Sequence, residues 1–101
     1  MVKEIKDTEY EKVVKENKKV LIDCYASWCG PCKMLSPVID KLAEEISDVK
    51  FYKIDVDTAE KITSDFDIMS IPTLLIFKDG KLKEKLVGLR SKSELEEVLK
   101  K

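Results

Sequence analysis

The stretch Val20-Leu21-Ile22-Asp23-Cys24-Tyr25-Ala26-Ser27-Trp28-Cys29-Gly30-Pro31-Cys32 decides the reading of this chain. Its first half, residues 20–25, is an apolar run, strand-like in length and content. A run that is nearly continuous is buried on both faces, as in a sheet covered by helices on each side. One charge, Asp23, interrupts it. Residues 26–30 form a turn. From Pro31 onward Met34, Leu35, Val38, Ile39, Leu42, Ala43 and Ile46 recur at intervals of three and four, which predicts one broad apolar helix face. Pro31 suits a first helical turn. Pro37 lies inside the periodic stretch and removes a hydrogen bond, so a bend is expected there, with the helix continuing past it.

Working outward, residues 2–5 read as a short edge strand. Asp7 or Thr8 is placed to cap a helix, with Glu11 three residues after Thr8 completing a capping-box pattern. Tyr10, Val13 and Val14 share one face of that helix, and Asn17 ends it. Residues 49–56 read as a second long strand and 58–66 as a helix. Residues 73–77 form a third apolar run. Asp79-Gly80 signals a hairpin, with 81–87 alternating as the returning strand. Residues 91–101 form a final helix, in which Ser91 followed by Glu94 caps a face of Leu95, Val98 and Leu99. Early alternation of strand and helix demands parallel pairing through crossover helices, and the late hairpin demands an antiparallel pair. The expected class is α/β: one mixed sheet of four to five strands with helices on both faces.

The chain has 101 residues, 44% of them hydrophobic and 39% charged. That length predicts a single domain over residues 1–101, with enough apolar material for one core. Lysine and arginine total 19 against 20 acidic residues, for a net charge of −1. This balance carries no basic footprint for nucleic acid and no polybasic signal for anionic lipid. No apolar run approaches the roughly 18 residues of a membrane span. Residues 1–6 alternate charge with single apolar positions, unlike a signal peptide, so a cytoplasmic location is expected.

There is no histidine, which removes Ser-His and Cys-His nucleophile pairs and the commonest metal ligand. Chemistry must come from cysteine, carboxylate, lysine or tyrosine. The three cysteines, Cys24, Cys29 and Cys32, lie within nine residues, unlike the spread, even set of a secreted disulfide scaffold. Cys29 and Cys32 stand at i and i+3 in the first turn of the predicted helix, close enough for a small disulfide ring. The helix N-terminus stabilises a thiolate at Cys29 and lowers its pKa below roughly 8.5. Cys32, one turn in, is shielded. An exposed nucleophile and a buried resolver are therefore expected. The alternative for a C-x-x-C pair is half a zinc site, but zinc wants four ligands and only Cys24 is left over, so no metal is expected.

Other residues admit two readings. Asp23 is either a carboxylate at an edge in water or a buried base whose pKa desolvation raises. Lys53 is either a solvated strand lysine or a partner of Asp23. Trp28 either packs in the core or is part-exposed beside Cys29. Cys24 is either a small buried hydrophobe or a third redox group. Because strand neighbours face opposite sides, it should not share a site with Asp23.

Trp28-Cys29-Gly30-Pro31-Cys32-Lys33 resembles the active-site motif of the thioredoxin family, unaltered. Further landmarks of that family follow in order: Asp23, Ala26, Pro37, Lys53, Asp57, Ile71-Pro72-Thr73, Phe77, Gly80 and Gly88. Tyr25 departs from the pattern, standing where many bacterial members carry a second tryptophan. The resemblance spans essentially the whole chain and implies the thioredoxin fold in free-standing form. It implies that Cys29 attacks a target disulfide, that Cys32 resolves the mixed disulfide, that Asp23 accepts the proton of Cys32, and that Lys53 tunes Asp23. It further implies a cis Ile71–Pro72 bond and a target-binding groove of Trp28, Gly30, Pro31, Ile71, Pro72 and Gly88, with Met69 and Ser70 on the same partner-facing loop. A monomeric protein-disulfide reductase is expected, without cofactor or metal. Its implied partners are a thioredoxin reductase and oxidised targets such as ribonucleotide reductase, peroxiredoxin and methionine sulfoxide reductase. Two rivals remain open: a disulfide oxidase or isomerase with a higher potential, and a binding module that holds a partner without turnover.

Overall fold

A computed structural model describes residues 2–101. Its elements in chain order are β1 (Lys3–Glu4), α1 (Tyr10–Glu16), β2 (Lys19–Tyr25), α2 (Gly30–Glu45), β3 (Lys50–Asp55), a 3₁₀ turn (Val56–Thr58), α3 (Glu60–Asp65), β4 (Thr73–Lys78), β5 (Lys81–Val87) and α4 (Lys92–Lys100). The five strands form one sheet in the order β1-β3-β2-β4-β5. β3 lies parallel to both β1 and β2. β4 runs antiparallel to both β2 and β5. The expected mixed sheet is present, with five strands.

The two-residue period of β2 divides the core. Val20, Ile22 and Cys24 face one side, where they meet Tyr10 and Val14 of α1, Ile62 of α3, and Leu75 and Phe77 of β4. Leu21 faces the other side with Leu35, Ile39 and Leu42 of α2, Leu95 and Leu99 of α4, and Leu74 and Ile76 of β4. Every residue from 20 to 24 is therefore buried, as the apolar run predicts. Asp23 falls on the α2 side and Cys24 on the α1/α3 side.

Helix α2 runs through Pro37 without stopping. Asp79 and Gly80 both take positive φ, 53° and 81°, the two-residue turn whose twist matches a hairpin. Phe77 pairs with Leu82 but Ile76 with Glu84, so Lys83 sits in a bulge on β5. Ser91 caps α4 through a complete capping box with Glu94.

One local expectation fails. Neither Asp7 nor Thr8 caps α1, which begins after Glu9 with no side-chain cap. Asp7 instead turns its carboxylate to α3, where it accepts from the amides of Lys61 at 2.7 Å and Ile62 at 2.9 Å. A carboxylate satisfies orphan N–H groups at a helix start equally well from a distant segment. Among the described residues, no helix is long and apolar enough to cross a membrane.

Candidate functional site

Cys29 is the N-cap of α2, and Cys32 lies in its first turn. The two form a disulfide, with Cα atoms 5.3 Å apart. The amide of Cys32 donates to Cys29 Sγ at 3.2 Å, so the sulfur stands where a helix N-terminus offers unpaired N–H groups. Pro31 removes one competing donor from that turn. Cys29 Sγ lies 3.9 Å from the carbonyl oxygen of Ile71. The Ile71–Pro72 bond is cis, and the amide of Gly88 donates to the Pro72 carbonyl at 2.8 Å.

The expected contrast between an exposed Cys29 and a buried Cys32 is not seen. The residues are 5% and 4% exposed, because the bonded pair packs with Ala26, Tyr25, Val56 and Ile71. The two differ in surroundings: Cys29 faces the Ile71 carbonyl, while Cys32 lines an open pocket of about 270 Å³. That pocket is also lined by Asp23, Tyr25, Ser36 and Lys53.

Asp23 is 5% exposed, and its Oδ1 has no hydrogen-bond partner. Burial pushes its pKa up to about 7; Lys53 opposes the rise and Asp40 adds to it. Asp23 and Lys53 are paired across β2 and β3, so both project on the same sheet face. Cys24 lies on the opposite face in an apolar cluster, and burial raises its thiol pKa strongly, with the charge of Asp23 adding to the rise. It is a small buried hydrophobe.

Trp28 is 68% exposed. Its indole N–H donates to the Asp57 carboxylate at 2.8 Å, which fixes the orientation of the ring. Asp57 is in turn fixed by its amide, which donates to Asp55 Oδ1. Gly88 has φ 94°, a backbone state that L side chains rarely adopt. Met69 is 86% exposed on the loop before Ile71. Cys29, Cys32, Asp23, Lys53, Ile71, Pro72 and Gly88 are thus brought together at the end of the sheet near the start of α2. Asp57 is a landmark in the sequence, but its bond to Trp28 carries no spacing signal. The hydroxyl of Tyr25 donates to Glu4 at 2.6 Å, and burial raises its pKa with Glu4 adding to the effect. This link between β2 and the edge strand is equally invisible in sequence.

A disulfide at a helix N-terminus, a cis-proline opposite it and a buried carboxylate behind it define a thiol–disulfide oxidoreductase of the thioredoxin fold. Sequence comparison agrees, since the model of the family described as Thioredoxin matches residues 1–101. The thioredoxin of Listeria monocytogenes is 47% identical over 102 residues, covering 100% of this chain and 98% of that protein. The thioredoxin of Mycoplasmoides gallisepticum is 47% identical over 92 residues, covering 91% of this chain and 92% of that protein. Among solved structures, a mutant thioredoxin from Halobacterium salinarum superposes with TM-score 0.91 at 39% identity, covering 97% of this chain and 87% of that one. The chain belongs to the thioredoxin family. It is a protein-disulfide reductase, and the Cys29–Cys32 pair fits dithiol–disulfide exchange with disulfide substrates and a reductase.

Proposed function

We propose that Cys29 is the nucleophile and Cys32 the resolving thiol. The observation that carries this assignment is the Cys29 sulfur at the N-cap of α2, accepting from the Cys32 amide at 3.2 Å. In the reduced protein, Cys29 thiolate attacks one sulfur of a target disulfide, and the other target sulfur leaves as thiolate. Cys32 then gives its proton to Asp23 and attacks Cys29 Sγ. The bond between Cys29 and the target breaks, and the target's second thiolate departs. Two electrons have moved to the target, and the Cys29–Cys32 disulfide remains. A raised pKa near 7 suits Asp23 to exchange a proton at neutral pH. Lys53 limits that rise.

Trp28, Gly30, Pro31, Ile71, Pro72 and Gly88 bind an extended segment of the target. The Ile71 backbone hydrogen-bonds to it, and proline's missing N–H keeps the loop from pairing as a regular strand. The domain, residues 1–101, works as a cytoplasmic monomer without metal or cofactor. A thioredoxin reductase restores the dithiol, and ribonucleotide reductase, peroxiredoxin and methionine sulfoxide reductase are the target classes. Trapping with oxidised insulin tests the roles. Cys32→Ser accumulates a mixed disulfide through Cys29, whereas Cys29→Ser forms none. An insulin adduct on the Cys29→Ser protein would overturn the assignment.

A further inference from the structure

We propose that Lys85, with Asp7, is a positioning residue for the exchange reaction: it holds the exit of α3 and so sets where the Ile71–Pro72 segment stands against Cys29. The inference rests on the reading of that segment as the target's backbone partner.

Helix α3 has six residues, too few to persist alone in water. Ala59 and Phe66, which flank it, have no side chain able to cap it. Its start is held by Asp7, which accepts from Lys61 and Ile62 amides. At its end the chain turns left-handed at Asp67, with φ 50°. The amide of Ile68 donates to the Thr63 carbonyl at 2.9 Å and that of Asp67 to Ser64 at 3.3 Å. This is the usual closure of a helix C-terminus, with an aspartate where glycine is favoured.

The next two carbonyls, of Phe66 and Asp67, both accept from Lys85 Nζ, at 3.0 and 2.9 Å. Lys85 is on β5 opposite Leu75, on the sheet face that carries α3. Carboxylate at the start and ammonium at the end each stand where the helix dipole favours them. Only three residues, 68–70, separate Asp67 from Ile71. Beyond Ile71 the loop is tied by the Thr73 hydroxyl, which donates to the Ser70 carbonyl at 2.6 Å, and by the Gly88 amide on Pro72. The segment is therefore held at both ends, by the Gly88 amide just after β5 on one side and by Lys85 of β5 on the other.

Releasing Lys85 lets residues 67–71 sample other positions, while Cys29, Cys32 and Asp23 stay fixed on α2 and β2. Target binding weakens and the chemical step does not change. The experiment compares the protein with Lys85→Met and Lys85→Arg. Amide exchange is followed at Asp67 and Ile68, whose amides donate to the Ser64 and Thr63 carbonyls, and oxidation of the reduced protein by insulin is followed by Trp28 fluorescence. Lys85→Met is expected to raise exchange about 10-fold at these amides. The half-saturating insulin concentration rises about 3- to 5-fold, with the limiting rate unchanged. Lys85→Arg restores both. Unchanged exchange overturns the proposal, as does faster exchange with an unchanged half-saturation. Parallel loss of limiting rate and thermal stability that arginine does not rescue also overturns it. Failure of the underlying reading, that the Ile71–Pro72 segment binds the target, would show separately, as a half-saturating insulin concentration left unchanged by Pro72→Ala in a protein whose Lys85 is intact.

Discussion

Asp23 places a carboxylate where strand β2 otherwise buries hydrocarbon. Burial raises its pKa from 3.8 to about 7, against the opposing charge of Lys53. The folded value lies above the unfolded one, so the fold prefers the protonated form. The associated stability is fully present below 3.8 and is lost as pH rises through about 7. The rise from 3.8 to about 7 corresponds to about 4 kcal/mol. Asp23→Asn should therefore match the parent protein near pH 4 and exceed it at pH 8 by up to about 4 kcal/mol in denaturant titration. Equal stability of the two proteins at both pH values would contradict the raised pKa. Asp67 offers a second test at this scale. Its φ of 50° favours glycine, so Asp67→Gly should stabilise by about 1 kcal/mol, read as a melting temperature about 5 °C higher. Asp23 stands out in the sequence as a lone charge in an apolar run, but the run alone leaves a solvated carboxylate and a buried base open, and the family resemblance points to the buried base. Asp57 and Tyr25 stand out in the sequence as a family landmark and a departure from it, but their bonds are not legible, since their partners Trp28 and Glu4 lie 29 and 21 residues away and no local pattern encodes such a bond.

The longer elements were legible because their periods are unambiguous. β2 and β4 are continuous apolar runs, α2 repeats at three and four, and Asp79-Gly80 announces the hairpin. The Ser91–Glu94 box is a local device, and the fold uses it locally. Asp7 shows where this logic stops. Its spacing from the α1 region fits a cap, but tertiary packing brings α3 to it and the carboxylate is used there. This assignment separates two substitutions. Asp7→Ala should cost about 1 kcal/mol and speed amide exchange in α3. Thr8→Ala should leave both near their parent values. The reverse pattern would restore Thr8 as the cap of α1.

Across the whole molecule, periodicity says which face a residue takes but not which strand lies beside it. Spacing alone does not give the order β1-β3-β2-β4-β5 that the structure shows. The order matters for the site. It sets β2 in the centre, so that Asp23 is covered by α2, flanked by Lys53 on β3, and adjacent to β4, which begins just after Pro72. The sequence predicts an exposed Cys29 and the structure buries it, for a related reason. The motif fixes the helix start, but the loops that close over the disulfide come from distant parts of the chain. The central claim is that this assembly works as a reductant. It is tested most directly by equilibrating the Cys29–Cys32 pair against glutathione and dithiothreitol buffers. A potential near the roughly −270 mV typical of thioredoxins is predicted. A value above about −200 mV would contradict the account and mark the protein as an oxidase or isomerase.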